Sequence, residues 1–156
     1  MTSVIEWAEF LNMTEPASVR VVSGGEMTED LMDLARRAVA VVEISKWPDW
    51  TPVTSGIGMG TLRRGRVLEL TASVTYPPDE NCIPLLDTPA GLGSLLAVVR
   101  EAWGDGSICA ADMQGYDGID WMVAIPTGKE TDPHGVAWFI GDTEAEALVT
   151  ALEAAP

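Results

Sequence analysis

The chain has 156 residues, 47% hydrophobic and 21% charged, the size and balance of one globular domain able to bury a core without disulfide or metal staples. That apolar content excludes a disordered chain, and no apolar run approaches the roughly 18–20 residues that cross a bilayer. Nine basic against 24 acidic residues leave a net charge of −15, which repels nucleic acid and anionic lipid and attracts basic proteins.

The charge is uneven. Residues 1–76 hold 7 Lys and Arg against 10 Asp and Glu, a net of −3, whereas residues 77–156 hold 2 against 14, a net of −12. Two readings stand for the acidic half: solubility alone, or a surface that binds a basic partner. The start of the chain lacks the basic residues and continuous apolar stretch of a signal peptide, so a cytoplasmic location is expected. Cys82 and Cys109 form no CxxC pair and no metal-ligand spacing. Two buried free thiols are expected, with no metal and no cofactor.

In chain order, the first predicted helix covers residues 4–11, where Val4, Trp7, Ala8 and Leu11 recur at helical spacing and Ser3 with Glu6 forms a capping box. A weak strand signal follows at 19–22. The second helix covers 29–39: Thr28 caps it, Glu29 and Asp30 suit its positive end, and Leu31, Leu34, Ala35, Ala38 and Val42 share a face. Residues 39–44 fit either a helix end or a strand. Next comes the turn-rich Lys46-Trp47-Pro48-Asp49-Trp50. Its two tryptophans read either as a lid folded onto the core or as an exposed patch for a partner.

Gly56, Gly58 and Gly60 alternate with Ile57, Met59 and Thr61. Phosphate-binding loops need glycine spacings that this segment lacks, so a strand approached closely by another element is expected. Arg63-Arg64-Gly65-Arg66 reads as a hairpin turn and is the basic cluster of the chain, placed to keep the hairpin soluble. Residues 68–76 alternate strictly, with Leu68, Leu70, Ala72, Val74 and Tyr76 on one face, and Pro77-Pro78 ends the strand. The third helix, residues 89–103, has Thr88 as cap, Pro89 in its first turn and Gly104 after its last. Its predicted buried stripe is Leu92, Leu95, Leu96, Val99 and Trp103.

A weak strand at 108–113 precedes an acidic, glycine-rich region holding Asp105, Asp112, Asp117 and Asp120. The alternating pattern of calcium loops is absent; with Tyr116 and Trp121 close by, the cluster instead suits a basic partner. The runs 121–125 and 136–140 are continuously apolar, so both faces of these strands are expected to be covered, with Trp138 in the core. His134, the sole histidine, lies in the loop between them beside Asp132; no nucleophile elbow accompanies it. A final helix over 144–155 starts with the capping box Thr143 and Glu146 and buries Leu148, Ala151, Leu152 and Ala155.

The expected fold is a single α+β domain over residues 1–156: a mostly antiparallel sheet of about five to six strands with helices packed on one face. The profile is similar to that of bacterial inhibitor or immunity proteins, which are small, acidic, Trp-rich and free of a catalytic constellation. That resemblance implies a module that neutralises or regulates a basic protein partner, with no nucleic acid and no membrane involved. The expected partner-binding residues are Asp112, Tyr116, Asp117, Asp120, Trp47 and Trp50, and no residue is assigned to catalysis. A structural or assembly subunit, such as a phage or secretion-system component, is the alternative reading. A small-molecule enzyme using His134 or the acidic loops is the third.

Overall fold

The computed structural model describes residues 27–156, apart from Ile57, residues 70–73 and Asp117. The helix expected over residues 4–11 and the strand over 19–22 lie outside the described residues. Helix α1 spans Glu29–Val41, with the Thr28 hydroxyl accepting the Leu31 N–H at 3.2 Å as an N-cap. Leu34, Ala35 and Ala38 are buried, as their spacing requires. Val42 leaves the helix in extended conformation, and a short 3-10 turn follows at Ile44–Lys46.

Strands β1 (Pro52–Thr54), β2 (Met59–Arg63), β3 (Arg66–Glu69), β4 (Thr75–Tyr76) and β5 (Ile83–Pro84) form a five-stranded sheet in the order β4-β3-β2-β1-β5. Every pairing in it is antiparallel. Gly60 explains the glycine alternation in part, because a Cβ there would lie 2.4 Å from the Leu68 carbonyl oxygen. The expected strand over 68–76 is corrected: it reverses, and Val67 and Leu68 pair with Tyr76 and Thr75. The inward residue is accordingly Val67, fully buried, and not Leu68.

Helix α2 (Pro89–Trp103) has the Thr88 cap, the early proline and the left-handed Gly104 that its sequence announces. It is rolled relative to the expected stripe. Gly91, Leu95, Val98 and Val99 are its buried residues, while Leu92, Leu96 and Trp103 pack on the core half-buried. The roll has a cause at Gly91, which lies so close to Leu85 that a Cβ would sit 1.8 Å from its carbonyl oxygen. The Arg100 Nε–H donates to the Ile108 carbonyl at 2.8 Å and ties the following loop back to the helix.

Strands β6 (Ala110–Tyr116), β7 (Ile119–Pro126) and β8 (Val136–Gly141) form a second antiparallel sheet in the order β6-β7-β8. The α+β class and the antiparallel strands match the sequence reading, with the strands divided between two sheets. Helix α3 (Glu144–Glu153) sits at the centre, packing on all three strands of the second sheet and on α1 and α2. Its sequence is buried on more than one side, since Ala145, Ala147, Leu148, Val149, Ala151 and Leu152 are all inaccessible. Thr143 caps it through the Glu146 N–H at 3.1 Å, and the Glu146 carboxylate returns to the Asp142 N–H at 2.7 Å. An Arg37–Glu153 pair closes α1 onto the end of α3, with N–O distances of 2.6 and 3.0 Å. This contact holds the Glu153 carboxyl below the usual carboxylate range. No helix among the described residues is long and apolar enough to cross a membrane.

Candidate functional site

Alternation along β7 and β8 sends side chains to two faces of the second sheet. On one face Val123 and Ile125 are buried, and Trp121 and Phe139 pack with them against the core. Gly141 ends that face directly under α3, where a Cβ would meet the Ala147 nitrogen at 2.6 Å. The other face carries Met122 opposite Ile140 and Ala124 opposite Trp138, with Ala111 beside Met122. Trp138 is 47% exposed and Ile140 49%. The continuous apolar runs led to an expectation of cover on both faces and of a core Trp138. Only one face is covered by a described helix, so that expectation is corrected.

The predicted acidic residues divide across this sheet. Asp112 is opposite Trp121 and so lies on the α3 side, exposed, its carboxylate accepting the Gln114 N–H at 3.1 Å. Asp120 is exposed and, two residues from Met122, belongs to the open apolar face. Tyr116 pairs with Ile119 at the end of the hairpin, and Asp117 lies outside the described residues. Asp105, further back, is held by the Ser107 hydroxyl at 2.6 Å and the Ser107 N–H at 2.9 Å, which lower its pKa from the usual carboxylate value.

The tryptophan pair is also separated. Trp47 is 3% exposed, and its indole N–H donates to the Val42 carbonyl at 2.8 Å. It is a core residue and is corrected as a partner contact. Trp50 is 58% exposed in the turn before β1, beside the other sheet, where the Arg63 guanidinium lies 4.1 Å from its ring centroid. Sequence reasoning missed Trp138, Ile140 and Met122. No signal in the sequence separated them, because runs of five apolar residues look alike whether one face or two are covered.

Carboxylates also gather where the starts of α1, α2 and α3 meet. Asp30, Asp87, Asp142 and Glu144 surround an open cleft of about 840 Å³ that Leu31 and Leu92 help to line. Their places at helix starts complement the helix dipoles, and together they extend the negative field from Asp142, the residue after β8. His134 occupies a turn at Pro133–Gly135 with φ 58° and is exposed. Asp132 accepts a hydrogen bond from the Thr127 hydroxyl, so the carboxylate considered as a partner for the histidine is engaged elsewhere. Among the described residues no three His, Cys, Asp or Glu side chains converge as metal ligands would. No protein-family model, curated protein or solved structure matches the chain.

Proposed function

We propose that this chain is an acidic, non-catalytic protein-binding module that neutralises or regulates a basic partner, and that it docks through the open face of the β6–β8 sheet. The observation that carries the reading is the pair Trp138 and Ile140, each about half exposed on a sheet face without a described helix over it. Tryptophan is among the residues that most often dominate interface energy, particularly when apolar neighbours exclude water around it. Met122, Ala124 and Ala111 are such neighbours. Asp120 on the same face and Asp142 at its end supply charge that favours Lys and Arg opposite. A second copy is a poor occupant for this surface, because two molecules of net charge −15 repel each other.

One feature favours the assembly-subunit reading instead. Among the described residues β8 is an edge strand whose sequence, Val-Ala-Trp-Phe-Ile-Gly, contains no charge and no proline. Natural edge strands usually carry such guards against pairing with another chain.

The test is affinity capture from the native cell with the wild-type chain and with a Trp138→Ser, Ile140→Ser double variant. Both side chains are half exposed, so the variant is expected to fold. Wild type is expected to retain one basic protein, with an affinity at least about 30-fold above that of the variant. Equal retention by the two chains would remove this face from the interface. Large homo-oligomers in size-exclusion chromatography, lost in the variant, would favour assembly through β8.

A further inference from the structure

The β2–β3 hairpin tip concentrates features that the open sheet face does not use. Lys46, Arg63, Arg64 and Arg66 are four of the nine cationic residues in a chain of net charge −15. Ser45, beside Lys46, lies against the turn, its carbonyl oxygen 3.0 Å from where a Cβ on Gly65 would be. Neither of the two ion pairs between described residues, Asp33–Arg36 and Arg37–Glu153, draws on these four cations. Asp49, three residues after Lys46, accepts the backbone N–H of Arg64 at 2.8 Å. Arg66 donates to the Thr75 carbonyl at 3.3 Å, a contact that leaves its charge unneutralised. Arg63 lies over the Trp50 ring, and its Nε is buried without a hydrogen-bond partner among the described residues.

Backbone strain is concentrated in the same place. Of three non-glycine residues with positive φ among those described, Trp50 at 70° and Arg64 at 53° both belong to this tip. A two-residue hairpin turn of this hand calls for positive φ at both central positions, which Asn-Gly supplies at low strain; this chain has Arg64-Gly65. Trp50 is held in place by its N–H to the Leu62 carbonyl at 2.6 Å and by the Leu62 N–H to Thr51 at 2.9 Å. A bulky side chain in this region is an outlier, and such outliers persist where surrounding structure enforces them. Solubility accounts for three arginines on a hairpin. It does not account for a strained tryptophan left 58% exposed beneath one of them.

We infer that the tip is a second binding surface, one that takes an acidic segment of a protein. Its carboxylates pair with Arg63 and Arg64, and an apolar neighbour covers the exposed part of the Trp50 ring. Guanidinium–carboxylate pairing is the strongest hydrogen bonding the tip can offer, because the planar fork matches two carboxylate oxygens. A nucleic acid is a poorer occupant. Its dense phosphate charge meets a molecule of net charge −15, whereas a short acidic segment touches little beyond the local positive field. A molecule with this surface and the open β6–β8 face carries two recognition sites of opposite charge.

The experiment uses the full chain and a fluorescein-labelled peptide of glutamates interrupted by one phenylalanine, followed by fluorescence anisotropy. Saturable binding is expected, and Arg64→Asn and Trp50→Gly should each weaken it about tenfold. Arg64→Asn should also raise the melting temperature, by about 2 °C, because asparagine tolerates the turn conformation better. The Trp138→Ser, Ile140→Ser variant should bind the peptide as wild type does, which separates this site from the proposed docking face. Peptide affinity unchanged in Arg64→Asn or in Trp50→Gly would overturn the inference. So would tighter binding of a labelled oligothymidine than of the peptide. Self-association that Arg64→Asn abolishes, with no peptide binding, would assign the tip to a second copy and overturn it equally.

Discussion

Gly91 and Gly93 lie two residues apart in α2, yet they face different constraints. A Cβ on Gly91 would overlap the Leu85 carbonyl at 1.8 Å, whereas one on Gly93 would meet nothing within 4 Å. Backbone cannot step aside as a flexible side chain can. Gly91→Ala is therefore expected to cost about 3 kcal/mol, read as a lower urea midpoint at unchanged slope. Gly93→Ala should stabilise, by up to about 1 kcal/mol, because alanine is the better helix former. The two cysteines differ in the same manner. Both are free, but Cys82 is buried and Cys109 exposed, against the expectation that both are buried. Burial, with Asp79 adding to it, pushes the Cys82 thiol up to about 11. Folded Cys82 thus keeps its proton where an unfolded thiol, with a pKa of about 8.5, has lost it. The unfolded state then binds fewer protons, so this group's contribution to stability is full below that pH and falls as pH rises toward the folded value. A thiol reagent at mildly alkaline pH should label Cys109 promptly and Cys82 only when denaturant is added. Equal labelling of both in the native protein would contradict the burial of Cys82.

Which elements exist, and of which type, was largely legible because helices announce their ends chemically. Thr28, Thr88 and Thr143 each cap as their positions in the sequence require. The strands were harder. The alternation over 68–76 runs on through a reversal of the chain that changes its faces: Leu68 pairs with Thr75 and Val67 with Tyr76, and partners across a hairpin share a face. Nothing in the pattern therefore marks where one strand ends and its neighbour begins. The runs 121–125 and 136–140 pose a related problem. Their inner residues, Val123 and Ile125, and their outer ones, Met122, Trp138 and Ile140, are all apolar. A pattern that does not alternate records a demand for cover on both sides but cannot say that one cover lies outside the described elements. At the proposed site the sequence pointed to Asp120 and to an aromatic anchor. It placed that anchor at Trp47, Trp50 and Tyr116 and not at Trp138; the Trp47 indole N–H is bonded within the core, and local composition does not report tertiary burial. It also grouped Asp112 with Asp120, which the register of β6 on β7 sends to opposite faces.

The charge of the whole molecule acts on its folding and on its binding with opposite sign. A net charge of −15 carries self-repulsion that screening relieves, so added salt should raise the melting temperature. The same screening shortens the range over which a basic partner is drawn in. Between 0.01 M and 0.15 M salt the Debye length falls from about 30 Å to about 8 Å. The association rate of the basic partner should then drop steeply across that interval while the dissociation rate changes less, since apolar contacts at Trp138 and Ile140 are not screened. Docking of β8 onto a second copy would respond the other way, because two like-charged molecules approach more easily in salt. Stopped-flow association over a salt series therefore separates the two readings in one measurement. Local charge adds a further distinction. Asp120→Asn removes a carboxylate from the open face and Asp112→Asn one from the α3 side, at equal change in net charge. If the open face is the docking surface, Asp120→Asn should slow association more than Asp112→Asn does. Equal slowing would mean that only the total charge matters and that the partner approaches elsewhere.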